Sequence, residues 1–207
     1  MADKSFRARG CCCCLFNFLW KLLVAIIVIV GLTVLIFWLI VQPRSFKFYA
    51  SDAQLSQFDY ANNTLRYNLL LNFTARNPNK KLGIYYDDVE ATALYQDERF
   101  SNTDVITFRN SFRQDKKMTH PMSGVFSGQQ LLPLDPLQVS QYNEDKLAGA
   151  FDIDVKLKFE IRFRLGNFIT GSYRPKVWCG LRIPLSANGT TAASGFQFQP
   201  TKCRVDF

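Results

Sequence analysis

From Leu22 to Val41 the chain carries no Asp, Glu, Lys or Arg. About 20 apolar residues, at roughly 1.5 Å each in a helix, match a hydrocarbon core about 30 Å thick. Nothing interrupts the apolar surface, so the run does not read as the amphipathic helix of a soluble domain. A cleaved signal peptide would have an apolar core of only about 7–15 residues, ending at a small-residue cleavage site. This run ends Trp38-Leu39-Ile40-Val41-Gln42-Pro43, and it reads as an uncleaved signal anchor. Lys4, Arg7, Arg9 and Lys21 precede it, whereas Arg44 and Lys47 are soon followed by Asp52 and Asp59. The positive excess places the N-terminus in the cytosol. Trp20 and Trp38 stand near the two ends, where amphipathic rings prefer the headgroup layer. The expected organisation is a basic, Cys-rich cytosolic tail (1–21), a transmembrane helix (22–41) and an outer domain (42–207).

The tail holds Cys11, Cys12, Cys13 and Cys14 in a row. The cytosol is reducing, so disulfides among them are not expected. Adjacent cysteines also lack the C-x-x-C spacing of zinc ligands. Juxtamembrane cysteines beside basic residues are candidates for S-acylation. The plain alternative is four soft, apolar side chains at the membrane edge.

The outer domain, about 165 residues, is long enough for one real core. The formal charge of +8 divides into +3 on the first 41 residues and +5 beyond them. That balance suits a cell-wall polyanion or an anionic headgroup surface. It is scattered, without the basic stripe or base-stacking motif of a nucleic-acid binder.

Strand patterning dominates this domain. From Phe151 to Leu165 apolar and charged residues alternate without an error, so one face is buried and the other wet. Leu65 to Phe73 alternates likewise and ends at Asn77-Pro78-Asn79, a turn. Further strands are expected over Phe46–Leu55, Tyr85–Tyr95, Val105–Arg113, Lys176–Pro184 and Phe196–Phe207. Asp135 to Ala148, followed by Gly149, fits a short helix with a glycine cap. Many alternating strands and one helix predict a mainly β fold, an antiparallel β-sandwich.

Asn62, Asn72 and Asn188 begin N-x-[ST] tripeptides, all beyond the membrane run and therefore candidates for N-glycosylation. Cys179 shares a strand face with Val177, Leu181 and Ile183, and Cys203 shares one with Val205 and Phe207. Both thiols then point at the core. They form either a disulfide worth about 3–4 kcal/mol or two buried free thiols.

No catalytic constellation emerges, and none for a metal or cofactor. His120, the single histidine, stands in Thr119-His120-Pro121 without a nucleophile and acid patterned around it. There is no G-x-S-x-G elbow or phosphate-binding glycine loop. Asp87, Asp88 and Glu90 lack calcium-site spacing and read as a solvated strand end. The chain is expected not to be an enzyme.

Asn77-Pro78-Asn79-Lys80-Lys81-Leu82-Gly83-Ile84-Tyr85-Tyr86-Asp87 resembles the signature segment of the harpin-induced, non-race-specific-disease-resistance-like membrane proteins of plants. Phe112-Arg113-Gln114-Asp115-Lys116-Lys117 is similar to the family's second motif. Phe163-Arg164-Leu165-Gly166, Pro175-Lys176-Val177-Trp178-Cys179 and Thr201-Lys202-Cys203-Arg204-Val205-Asp206-Phe207 resemble its C-terminal part. The resemblance implies a late-embryogenesis-abundant group-two domain, a β-sandwich with a helix, outside a plant plasma membrane. It implies a non-enzymatic role in pathogen and hypersensitive responses, through partners it does not identify. Residence in plasmodesmata or endomembranes stays open. Lipid binding, with Phe46, Phe48, Phe73 and Phe108 lining a pocket, is the first alternative, and protection in abiotic stress or senescence the second. The Asn-Gly-Asp adhesion motif of some relatives is replaced here by Asn188-Gly189-Thr190.

Overall fold

The computed structural model describes residues 7–41, 44–186 and 197–206. Two compact units divide it, Met1–Pro43 and Arg44–Phe207. The first contains α1, Arg7–Val41, one helix of 35 residues, roughly 52 Å at 1.5 Å per residue. It begins well before the apolar run, so the backbone of Cys11–Cys14 is helical. Phe16–Ile36 is long and apolar enough to cross a membrane, and none of it is buried in protein. Thr33 satisfies its hydroxyl within the helix, donating to the Ile29 carbonyl at 2.8 Å.

The second unit is two antiparallel sheets. Sheet A holds β1 (Lys47–Ala61), β2 (Thr64–Arg76), β6 (Thr119–Leu131) and β10 (Thr201–Lys202), in the order β10-β1-β2-β6. Sheet B holds β3 (Leu82–Tyr95), β4 (Glu98–Ile106), β7 (Ala150–Leu165), β9 (Lys176–Pro184) and β11 (Arg204–Asp206), in the order β11-β9-β7-β3-β4. β5 (Phe112–Gln114) pairs with β3, and β8 (Phe168–Tyr173) with β7. The inward side chains of both sheets form one core. Phe48 of sheet A stacks on Phe73 at 5.3 Å and meets Phe159 of sheet B edge-on at 5.4 Å. Phe58 bridges to Tyr95 and Phe151 in the same way.

The alternation from Phe151 to Leu165 allows one long strand or two joined by a bend, and β7 is one uninterrupted strand. Its first part pairs with β9, and its last residues pair with β8. β1 is longer than the expected Phe46–Leu55 because two irregularities hide its period. The register with β2 shifts between Ala50 and Asp52 and again between Leu55 and Gln57. The inward residues change from Phe48 and Ala50 to Ala53 and Leu55, then to Phe58. At each bulge a serine repairs the ladder: Ser51 donates to the Asn72 carbonyl and Ser56 to that of Asn68.

The expected strand Val105–Arg113 is a correction. β4 ends at Ile106, and Asn110 closes a turn by accepting from the Thr107 backbone NH at 2.6 Å. That local side-chain bond defeats the ladder, and Phe108 is left exposed, apart from Phe46, Phe48 and Phe73. The expected Phe196–Phe207 strand is likewise two short pieces. β10 joins sheet A, β11 joins sheet B, and Cys203 stands at the crossing, its NH donating to the Phe48 carbonyl. β6 and β8 had no place among the expected strands. β6 carries Pro121 and two glycines, and it is tolerated as a strand because it lies at the edge of sheet A.

α2, Pro136–Ala148, forms where expected. Asp135 and Gln138 make a reciprocal capping box, and Gly149 ends the helix at φ 69°. Tyr142 binds the helix to β1, donating to the Phe58 carbonyl at 3.0 Å and accepting from the Tyr60 NH at 2.9 Å.

Candidate functional site

β2 ends at Arg76, and Asn77-Pro78-Asn79 turns the chain into the loop before β3. Both asparagines are buried, and each spends its amide on backbone. Asn79 Oδ1 accepts from the Arg44 NH at 2.7 Å, and its Nδ2 donates to the Arg44 carbonyl at 2.8 Å. Asn77 Oδ1 accepts from the Asn79 NH and Nδ2, each at 3.0 Å. Asn77 Nδ2 donates to the carbonyls of Leu82 (2.9 Å) and Asp115 (3.2 Å). Gln114, also buried, donates from Nε2 to the carbonyls of Ala75 (2.8 Å) and Met118 (2.9 Å), and its Oε1 accepts from the Tyr86 hydroxyl at 3.0 Å. Burial of the Tyr86 phenol raises its pKa. No buried side-chain polar atom among the described residues lacks a partner. A buried amide without one would cost about 1–3 kcal/mol.

Next to this network stands an ionic cluster. The register of β3 on β7 shifts between Tyr86 and Asp88, which marks a bulge at Asp87. The bulge moves the inward set from Ile84 and Tyr86 to Val89, Ala91 and Ala93. Asp87, only 5% exposed, is gripped at both oxygens by Arg162, Nε at 2.6 Å and Nη2 at 2.7 Å. The solvated strand end expected of Asp87 is therefore wrong: a buried carboxylate needs a bidentate partner, and β7 supplies it. The hydrogen bond from Arg162 to Asp87 holds the guanidinium pKa above its usual value. Arg162 also lies 5.6 Å over the Tyr85 ring, and Arg164 donates to the Tyr85 hydroxyl at 2.9 Å. That bond lowers the Tyr85 pKa. Gly83 pairs with Arg164 across the same ladder, and a methyl group there would make only an ordinary contact, at 3.5 Å, with the Gln114 carbonyl.

The signature residues thus tie the loop after β2 to the loop before β6 and to the Arg44 backbone. His120 stacks on Phe112 at 3.9 Å, and Phe112 stacks on Tyr86 at 5.0 Å. No group of three or more His, Cys, Asp or Glu among the described residues is placed to hold a metal ion. Cys179 and Cys203, both buried, are joined by a disulfide with Cα atoms 4.6 Å apart. Asn62 is exposed at the tip of the β1–β2 hairpin, at φ 50°. Asn72 is half-buried on β2 and donates to Asp52 Oδ2 at 3.3 Å. Asn188 lies outside the described residues, as do the side chains of Cys11–Cys14. Open clefts of about 420 and 520 Å³ occur at β4–β6 and beside Lys47, Lys202 and Arg204.

Arg44 and Arg162 escaped the sequence reading. Arg44 contributes backbone atoms, which carry no sequence signal, and Arg162 looks like any other charge on the wet face of β7.

No family model matches the chain. Curated relatives do. NDR1/HIN1-like protein 10 of Arabidopsis thaliana is 43% identical, over 97% of this chain and 88% of its own length. NDR1/HIN1-like protein 3 of the same plant is also 43% identical, over 97% of this chain and 89% of its own. NDR1/HIN1-like protein 2 is 38% identical over 83% and 70%. A solved structure of a protein from Archaeoglobus fulgidus covers 66% of this chain and 95% of its own at 9% identity, with a TM-score of 0.31, too slight to carry an argument.

Proposed function

The chain belongs to the NDR1/HIN1-like family, and on that premise we propose that it is a membrane-anchored, non-enzymatic component of plant defence that acts through its β domain. Family likeness along 97% of the chain is the observation that carries this reading. α1 is the anchor, with its N-terminus in the cytosol and the β domain on the far side of the plasma membrane. The apolar stretch Phe16–Ile36 and the basic residues before it support that orientation. The structure of the signature segment supports a binding role over a catalytic one. Its asparagines and Gln114 bond backbone groups, and its aspartate is closed by Arg162. None of them is left to attack, abstract or protonate a substrate.

The test is loss of the gene product in the plant, scored by pathogen growth and by cell death after elicitor treatment. Weakened responses are expected. Unchanged responses in both assays would overturn the defence role. Orientation is tested by protease treatment of sealed microsomes: the β domain should be protected, and its digestion without detergent would reverse the proposed topology.

A further inference from the structure

The loop after β2 carries Lys80 and Lys81, and the loop before β6 carries Lys116 and Lys117. These loops are bonded to each other. The Asn77 NH donates to the Met118 carbonyl at 2.9 Å, and the Lys117 NH donates to that of Asn79 at 3.2 Å. Asn79 also holds Arg44, and Arg76 opens the first loop opposite Thr119. The exposed cations Arg44, Arg76, Lys80, Lys81, Lys116 and Lys117 therefore share one end of the β domain. The carboxylate of these loops, Asp115, is paired with Arg113 at 3.0 Å. At the opposite end lie Asp59 of β1, Asp97 in the β3–β4 turn, Glu98 at the start of β4 and the helix cap Asp135, interleaved with Arg66, Arg99 and Lys146.

The basic end also shows apolar side chains to solvent. β7 turns into β8 there, with Leu165 paired to Leu82 on one side and Phe168 on the other. Phe168 is 69% exposed, Ile169 43% and Met118 49%. Cations flanking exposed apolar tips are the chemistry of a headgroup boundary, where the charges meet anionic lipid and the apolar groups enter the acyl edge. A soluble polyanion would use the cations and leave Phe168 without a role.

We propose that this end of the β domain is a docking face for an anionic lipid surface. The proposal rests on the reading of α1 as a membrane span.

The experiment is hydrogen exchange on the full chain in nanodiscs of phosphatidylcholine, alone or mixed with phosphatidylserine. In mixed discs the amides of residues 115–119 and 165–169 should exchange about fivefold more slowly. Salt near 1 M, where charges are screened within about 3 Å, should remove the slowing. The triple variant Lys80→Glu, Lys81→Glu, Lys116→Glu should abolish it, and Phe168→Ser should weaken it. The Asn62–Asn63 hairpin should be unaffected, and protection within β7 shows that each variant is folded. Equal exchange in both discs, with the chain inserted, would overturn the docking face alone. A chain recovered free of discs would overturn the span and the face together. Slowing by soluble polygalacturonate in neutral discs, with none from phosphatidylserine, would assign the cations to a polysaccharide and overturn the lipid.

Discussion

Asn79 makes with its side chain the pair of bonds that a neighbouring strand would make with its backbone. It does so at Arg44, the first residue of the β unit. Asn77 is the more committed of the two, fully buried with bonds to three other residues. Asn77→Ala should therefore destabilise the domain by about 2–3 kcal/mol and Asn79→Ala by about 1–2 kcal/mol, since Arg44 can turn to water. Denaturation midpoints in detergent, followed by near-ultraviolet circular dichroism, check the ranking; equal costs would contradict it. Asp88 acts in the other direction. Burial, then the neighbouring charges of Asp104, Glu160 and Glu90, hold its pKa above the ordinary value. Its ionised form therefore opposes folding at neutral pH; the penalty fades as pH falls through the raised folded-state pKa and is gone below the ordinary aspartate pKa of about 3.9. Asp88→Asn should raise the melting temperature at pH 7 and leave it unchanged near pH 3. A gain of equal size at both values would trace the effect to something other than charge.

At the scale of elements, the C-terminal segment is the one whose place depends most on a covalent bond. β10 and β11 have two and three residues and lie in different sheets. Such short strands hold few ladder bonds, and the Cys179–Cys203 bridge ties their crossing point to β9. The two cysteines are 24 residues apart, and closing a loop of that size stabilises by about 3.5 kcal/mol in the chain-entropy model. Replacing both with serine should cost about that much, and it should release β10 and β11 before the remaining strands. Hydrogen exchange checks the order of release; uniform loss of protection across both sheets would refute it. Legibility also varied by element. β7 and α2 are legible in the sequence because β7 keeps one phase throughout and Gly149 follows α2 where a cap requires it; the Asp135–Gln138 capping box shows only in the structure. β1 and β3 were read short or out of phase because a bulge inverts the inward set, and an inverted set looks like noise to a period-two pattern. β6 was missed because an edge strand accepts proline and polar residues that a central strand would refuse.

At the scale of the molecule, the chain divides into two units of different solvent preference. Between Phe16 and Leu39 the described apolar side chains of the helix unit are exposed, whereas the β unit closes around one core. Replacement of Cys11 to Cys14 by serine should therefore change where the protein resides without changing the folding of the β domain. Fluorescence localisation and the thermal unfolding of the purified variant check the two halves of that statement. A lowered unfolding temperature would show that the units are not energetically independent.

The sequence by itself determined the long apolar helix, the mainly β class, the short helix before Gly149 and the family. Each is written in neighbouring residues: an uncharged run, an alternation, a cap, a contiguous signature. Only the tertiary structure decided what the signature residues do. That Asn79 meets Arg44, that Gln114 meets Ala75 and Met118, and that Arg162 meets Asp87 depends on partners 35 to 75 residues away or on backbone atoms without identity. The same holds for the basic end, whose cations are scattered along the chain and become one face only when the loops after β2 and before β6 bond to each other. Local chemistry is legible in order along a chain; proximity is not, because it is set by which strands pair and where a bulge shifts their register.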